Sequence, residues 1–236
     1  MRASESVVTA IILAGGDARR LGGVNKALVE VGGVPLLELV LDAVSRVCEE
    51  TVVVSRTPDA FEDYVDRSVA DLVADTGPLG GLYTGLMASR SDLNFTVACD
   101  MPLLNSDFIG FMIDRIPPGA DMLIPRTNGF VEPLHALYRR SCIPAVKKRL
   151  EAGDRKLTSF FDLVNVAQVH REEIEPFDAN LGMFTNINSP EDIQTAERML
   201  AHARQDRSRG CDQVFTGEDV RCEGDSAGRE TGQDHP

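Results

Sequence analysis

Cysteine and histidine are scarce in this 236-residue sequence: five cysteines and four histidines. The cysteine count is odd and no CxxC pair occurs, which excludes a disulfide framework and a zinc-ligand pattern. Thiols used this way predict a cytoplasmic protein. Long apolar runs are missing too, so no membrane-spanning helix is predicted. The opening residues, MRASES, carry no secretory apolar region ahead of the first predicted strand. Positive charge is short: 24 Lys and Arg stand against 37 Asp and Glu, a net charge of −13. That balance argues against broad nucleic-acid binding. With 43% hydrophobic and 26% charged residues, the rest is an ordinary globular composition, enough for one large α/β domain plus a tail.

Two well-known glycine motifs are also absent. Lys26 follows Asn25 and precedes Ala27, so the Walker pattern fails. Gly15 and Gly16 are adjacent, so G-x-G-x-x-G fails. What is present is VVTAIILAGGDARRLGGVNK, Val7 to Lys26. Its first seven residues form an unbroken, β-branched apolar run, which predicts a strand buried on both faces. The run passes into Gly15-Gly16, then Arg19 and Arg20, then Gly22-Gly23 and Lys26. A tight strand-to-loop turn would use such glycines. Glycine also lets backbone N–H groups approach an anion, and three cations in one loop can neutralise a polyphosphate. The joint pattern predicts a nucleotide-triphosphate cradle at the carboxyl end of a first strand.

Further along, a short extended segment at 28–31 precedes an amphipathic helix over 35–48, with Pro35 at its first position. Strands are predicted at 51–55, 68–71 and 94–99, with a short helix at 58–64. Asp75 to Gly81 reads as a second glycine-rich turn before a helix carrying Leu82, Leu86 and Met87. Ser106 is the expected cap of a helix bearing Phe108, Ile109, Met112 and Ile116. Strands follow at 121–125 and 130–138, then a helix capped by Ser141 and ended by Gly153. A short helix over Leu157 to Val164, an edge strand at 165–169 and a last strand at 184–188 complete the domain. Ser189-Pro190-Glu191-Asp192 starts a helix that runs to about His202. The alternation predicts a doubly wound, mostly parallel sheet with helices on both faces. Residues 1–203 form the domain in this reading. Residues 204–236, poor in aliphatic side chains, form a disordered or weakly ordered polar tail.

Asp100 is the sharpest single position, just past the end of a buried strand. Its carboxylate would point into the crevice that the first loop faces, where it suits Mg²⁺, an ion that uses few carboxylates plus substrate phosphates. Asp71 ends another strand on the same edge and could accept from a base or sugar; Asp75, four residues on, is barely separated from it. Gly80 and Gly81 would admit a purine ring or close helix–strand packing. Lys26 could meet a β- or γ-phosphate, and Arg19 could fork onto a phosphate, with one of Arg19 and Arg20 solvated. Asn186 and Asn188 share a face of an extended segment and would bond a polar substrate or a turn network. Arg155 and Lys156 would meet a second anion or solvate a helix start. His135 and Cys99 read as structural.

These motifs resemble the molybdenum cofactor guanylyltransferases. LAGGDARRLGGVNKALVEVGGVPLLELV, GPLGGL, CDMPLL, EPLHALYRR, GDRKLTSFF and FTNINSPED stand in that family's order, covering roughly residues 7 to 200. The resemblance implies a Rossmann-like nucleotidyltransferase fold. It implies transfer of GMP from GTP to the terminal phosphate of Mo-molybdopterin, with Mg²⁺ and release of pyrophosphate. It places Leu13, Ala14 and Gly15 on GTP through the backbone, Lys26 and Asp71 on the nucleotide, and Asp100 on both GTP and Mg²⁺; Gly81 joins the nucleotide-binding set as the close backbone approach to the purine. Asp100, Lys26 and Arg19 would carry the chemistry; Asn186, Asn188 and Lys156 would meet the acceptor. Molybdenum-insertion proteins or client molybdoenzymes are candidate protein partners, with no nucleic acid and no membrane. Ser55, Asn25 and Leu21 depart from the family, standing where Asn, Asp and Met are common. Alternatives stay open: CTP as donor, another phosphate acceptor, or a nucleotide-binding carrier without turnover.

Overall fold

The first apolar run forms β1 (Val8–Leu13), an interior strand of the main sheet. In the computed structural model, residues 7–15, 25–73 and 75–212 are described, beyond residue 201 as backbone only. β1 pairs in parallel with β4 (Glu50–Ser55) on one side and with β6 (Leu93–Ala98) on the other. Beyond β4 lies β5 (Arg67–Ala70), also parallel. Beyond β6 come β9 (His135–Arg139), β7 (Met122–Thr127) and the edge strand β10 (Val166–His170). Along that path only β9 runs antiparallel to its neighbours; β8 (Phe130–Val131) pairs with β7 as a hairpin, and β2 (Glu30–Val31) with β3 (Val34–Pro35) as a separate one. The mostly parallel sheet agrees with the expected class.

Period-two alternation explains why both sheet faces are covered. Ile11, Val52, Val54, Met122 and Tyr138 turn to one face, against Leu79, Leu82 and Leu86 of α2 (Gly77–Ala88) and Val146 of α4 (Ile143–Glu151). Ala10, Ile12, Val53, Phe95 and Leu137 turn to the other. There Leu37 and Val40 of α1 (Leu36–Val44) and Phe108 and Met112 of α3 (Ser106–Arg115) meet them. Ile11 and Ile12 have no exposed surface, and burying each side chain contributes about 1.5–3 kcal/mol. A third, smaller cluster joins Val31, Leu36, Ile187 and Ala196.

Several boundaries differ from the sequence reading. α1 is shorter than expected and Pro35 lies outside it, because the Pro35 backbone is extended (ψ 142°) and pairs with Glu30 in the β2–β3 hairpin. Its end tightens where the Val47 and Cys48 N–H groups converge on the Val44 carbonyl. Gly77, Gly80 and Gly81, read as a turn, belong to α2. A Cβ on Gly85 would stand 2.3 Å from Ile11 Cγ2, and one on Gly81 3.2 Å from Leu13 Cδ2, so these glycines let the helix lie on β1. Asn105 caps α3, accepting from the Phe108 N–H at 3.0 Å; Ser106 instead donates to the Ala43 carbonyl. Ser141 does not cap α4 but donates to Asp121 Oδ1. The strand expected over 130–138 breaks at Glu132 to Leu134, where Pro133 has no N–H to donate. A short helix, α5 (Arg171–Ile174), follows β10 unannounced.

Residues 184–188 form no strand; a 3₁₀ turn at Gly182–Phe184 leads into irregular chain. The Asn188 and Ser189 N–H groups donate to Asp192 Oδ2, and the Ser189 hydroxyl accepts from the Asp192 N–H. That reciprocal cap takes the donors a ladder would need. α6 (Pro190–Asp212) runs on past the point where the tail was expected. Residues 203–209 hold neither Gly nor Pro, and Ala, Arg and Gln there favour helix. The described chain through Leu200 makes one compact unit and a second begins at Ala201; the rest of the expected tail, residues 213–236, lies outside the described residues. Among the described residues no helix is long and apolar enough to cross a membrane.

Candidate active site

Four strand ends align on one edge of the sheet. Leu13 pairs with Val54 and with Ala98, and Ser55 pairs with Ala70. Just past these ends lie Gly15, Arg56, Asp71 and Asp100. The order of the strands reverses at β1, the kind of place where open α/β sheets bind ligands. From β5 to β6 there are three strand spacings, about 14 Å. A cavity of about 540 Å³ opens along this row, lined by Leu13, Gly15, Lys26, Arg56, Asp71, Gly81 and Asp100 among others.

At the β6 end, Lys26 Nζ stands 2.5 Å from Asp100 Oδ2 and 2.8 Å from Asn188 Oδ1. The lysine sits on a 3₁₀ turn, Lys26–Leu28, whose start is fixed by Asn25 accepting from the Ala27 N–H. Asn188 arrives because the Ile187 N–H donates to the Asp100 carbonyl at 2.9 Å. The paired side chains are only 12% and 16% exposed. Asp100 Oδ1 is buried without a hydrogen-bond partner. A hard anionic oxygen left unsatisfied is costly until a donor or cation completes it. Among the described residues no three His, Cys, Asp or Glu gather as a metal cage. A single carboxylate suits Mg²⁺ when substrate phosphates supply further oxygens.

At the β5 end, burial raises the Asp71 carboxyl above its ordinary range, while the Arg56 charge and the Thr84 hydroxyl pull it back. Asp71 Oδ1 is buried and unpartnered. Asp75 also lines the cavity, from an exposed position with φ of 58°, whereas Asp71 is half-buried. Between the ends, Leu13 and Gly81 supply apolar wall.

The expected residues are brought together unevenly. Leu13, Gly15, Lys26, Asp71, Gly81 and Asp100 share the cavity. Ala14 does not: it turns into the core, and its N–H donates to the Val54 carbonyl. Asn188 reaches Lys26; Asn186 is exposed two residues away. Lys156 is exposed and does not line the cavity, although the Arg155 carbonyl lies 3.8 Å from where a Cβ on Gly77 would stand, at the rim. Ser55 donates to the Ala14 carbonyl and accepts from the Thr57 N–H, bracing the loop. Burial pushes the Cys99 thiol up to about 12, an inert thiol at a strand end. His135 is fully buried among Phe95, Phe108 and Phe184. Arg19, with Arg20 and Gly22-Gly23, lies outside the described residues. Arg56 and Leu134 went unmarked in the sequence; a cation directly after a buried parallel strand was the available signal for Arg56.

The sequence matches the family of MobA-like NTP transferase domains over residues 10–171. A probable molybdenum cofactor guanylyltransferase of Methanosarcina mazei is 36% identical over 209 residues, covering 84% of this chain and 92% of that protein. The molybdenum cofactor guanylyltransferase of Desulfosudis oleivorans is 32% identical, covering 84% and 98%. The solved structure of molybdopterin-guanine dinucleotide biosynthesis protein A from Archaeoglobus fulgidus superposes with a TM-score of 0.71 at 28% identity, over 82% of this chain and 99% of that one. A mostly parallel sheet, strand ends that line one cavity and a lysine–aspartate pair at the switch point thus coincide with sequence similarity along the same residues, and the chain belongs to the MobA-like NTP transferase family, with the molybdenum cofactor guanylyltransferases as its relatives.

Proposed function

We propose that this protein transfers GMP from GTP to the terminal phosphate of Mo-molybdopterin, forming the guanine dinucleotide cofactor and releasing pyrophosphate. The observation that carries this reading is the Lys26–Asp100–Asn188 constellation at one end of a 540 Å³ cavity, with Asp71 at the other. A row of about 14 Å accommodates a base, a ribose and phosphates laid end to end.

The acceptor is already a phosphate monoester anion, so no strong general base is required. The difficulty is to hold two polyanions in line, which makes this catalysis by position and charge. Lys26 places one positive charge against the phosphates, and Asn188 and Asp100 fix where it stands. Asp100 would hold Mg²⁺ through Oδ1, the buried oxygen that lacks a partner. Bound there, the ion would supply charge that offsets the α-phosphate and the leaving pyrophosphate. Arg19 would add a further phosphate contact, and Asn186 and Lys156 would meet the acceptor. The protein works in the cytoplasm, where Cys48, Cys99 and Cys142 stay free thiols, and it hands product to molybdenum-insertion proteins or client molybdoenzymes.

The test is pyrophosphate release with Mg²⁺ and Mo-molybdopterin, comparing GTP, CTP and ATP. Release with GTP alone is expected. Release with CTP would overturn the base assignment while keeping the mechanism. Nucleotide binding with no release from any of the three would reject the transferase reading with this acceptor.

A further inference from the structure

Arg56 is a cation at the base end of the cavity that the sequence pattern did not mark. It follows β4 directly, between the strand ends that carry Gly15 and Asp71. Its Nη2 donates to the Gly15 carbonyl at 3.0 Å. Asp71 Oδ2 lies 3.9 Å from where a Cβ on Gly15 would stand. The Gly15 backbone therefore has a guanidinium on its carbonyl and a carboxylate facing its α-carbon. Both side chains line the cavity.

The chemistry of this pair matches one base. Guanine presents an acceptor, O6, beside two donors, N1–H and the 2-amino group. Adenine presents a donor beside an acceptor, and cytosine a donor beside two acceptors. A guanidinium offers donors only, in a fixed fork, and an ionised carboxylate offers acceptors only. We propose that Arg56 is a specificity-determining residue, donating to guanine O6 while Asp71 accepts from N1–H and the 2-amino group. Arg56 also opposes the burial that pushes the Asp71 carboxyl toward its neutral form, and so favours the ionised double acceptor. This inference rests on the guanylyl-transfer reading above.

The test replaces O6 alone. 6-Thio-GTP carries a weakly accepting sulfur there and keeps N1–H and the 2-amino group; ITP keeps O6 and loses the 2-amino group. The wild type is expected to prefer GTP over 6-thio-GTP by about tenfold in kcat/KM, the size of one lost charge-assisted hydrogen bond. Arg56→Met should erase that preference while GTP remains preferred over ITP, and Arg56→Lys should restore part of it. Equal losses on GTP and 6-thio-GTP in Arg56→Met would overturn the proposal, leaving Arg56 as a brace for Gly15 or an attractor of phosphate. A wild type indifferent to the sulfur would overturn it as well. If Arg56→Met turns over too slowly, equilibrium binding of the two nucleotides gives the same comparison, with thermal melting to check the fold. Failure of the guanylyl-transfer reading is separately visible, because the wild type would then release no pyrophosphate from GTP.

Discussion

At the scale of single residues, two buried polar groups have opposite meanings. Asp100 Oδ1 lacks a partner on a residue that lines a cavity, where a ligand can complete it. Asp100→Ala is expected to abolish turnover, and Lys26→Ala to weaken GTP use by about 10²–10³-fold, as lost transition-state electrostatics do; steady-state kinetics with GTP check both. His135 also lacks partners at both ring nitrogens, but phenylalanines surround it and it has no exposed surface. Burial lowers its pKa from 6.5 to about 3. Between those values the unfolded chain binds a proton that the folded one refuses, so stability falls as pH drops from 6.5 toward 3. His135→Leu should flatten that part of the stability–pH curve, measured by urea denaturation at several pH values.

At the scale of elements, α2 shows how a helix can be chosen by packing against its own propensity. Gly77, Gly80, Gly81 and Gly85 all lie within it, and each glycine costs up to about 1 kcal/mol relative to alanine. By sequence alone Asp75 to Gly81 reads as a glycine-rich turn, which takes in the first three. The structure places them in the helix, where Gly81 and Gly85 lie close against Leu13 and Ile11 of β1 and a Cβ on Gly80 would run into Thr76. The Cβ of Gly85→Ala would meet Ile11 Cγ2 at 2.3 Å, and Ile11 is held in the sheet with a stiff, β-branched side chain. Overpacking costs about 1–3 kcal/mol, which exceeds the gain in helix propensity. Gly85→Ala is therefore expected to lower the denaturation midpoint; a rise would show that α2 can move away from β1. Residues 184–188 teach the converse. Their composition suits a strand, but the Phe184 and Thr185 N–H groups go to local turn carbonyls, the Ile187 N–H to the Asp100 carbonyl and the Asn188 N–H to the cap of α6.

At the scale of the whole molecule, a chain of net charge −13 must hold a polyanion, so binding depends on a few local cations and on the alignment of strand ends. Saturating Mg²⁺ and GTP at a hundred times the dissociation constant should stabilise the fold by about 2.7 kcal/mol. That corresponds to a rise of about 5–10 °C in Tm for a domain of this size. Asp100→Ala should lose the Mg²⁺-dependent part of that rise in a thermal melt. The sequence by itself determined the parallel α/β class and the positions of β1, β4 and β6, and it singled out Lys26, Asp71 and Asp100, which line one cavity, because apolar periodicity and glycine placement report burial and turns locally. It also drew Asn188 toward the site as a contact for the acceptor, without indicating that Asn188 would accept from Lys26. Only the tertiary structure decided that Lys26 meets Asp100 and Asn188, that Ala14 turns inward, and that Arg56 and Asp71 close on Gly15. Those contacts depend on β4 and β6 lying on opposite sides of β1, and strand order is set by how helices cross over the sheet, a long-range choice that local patterns do not encode.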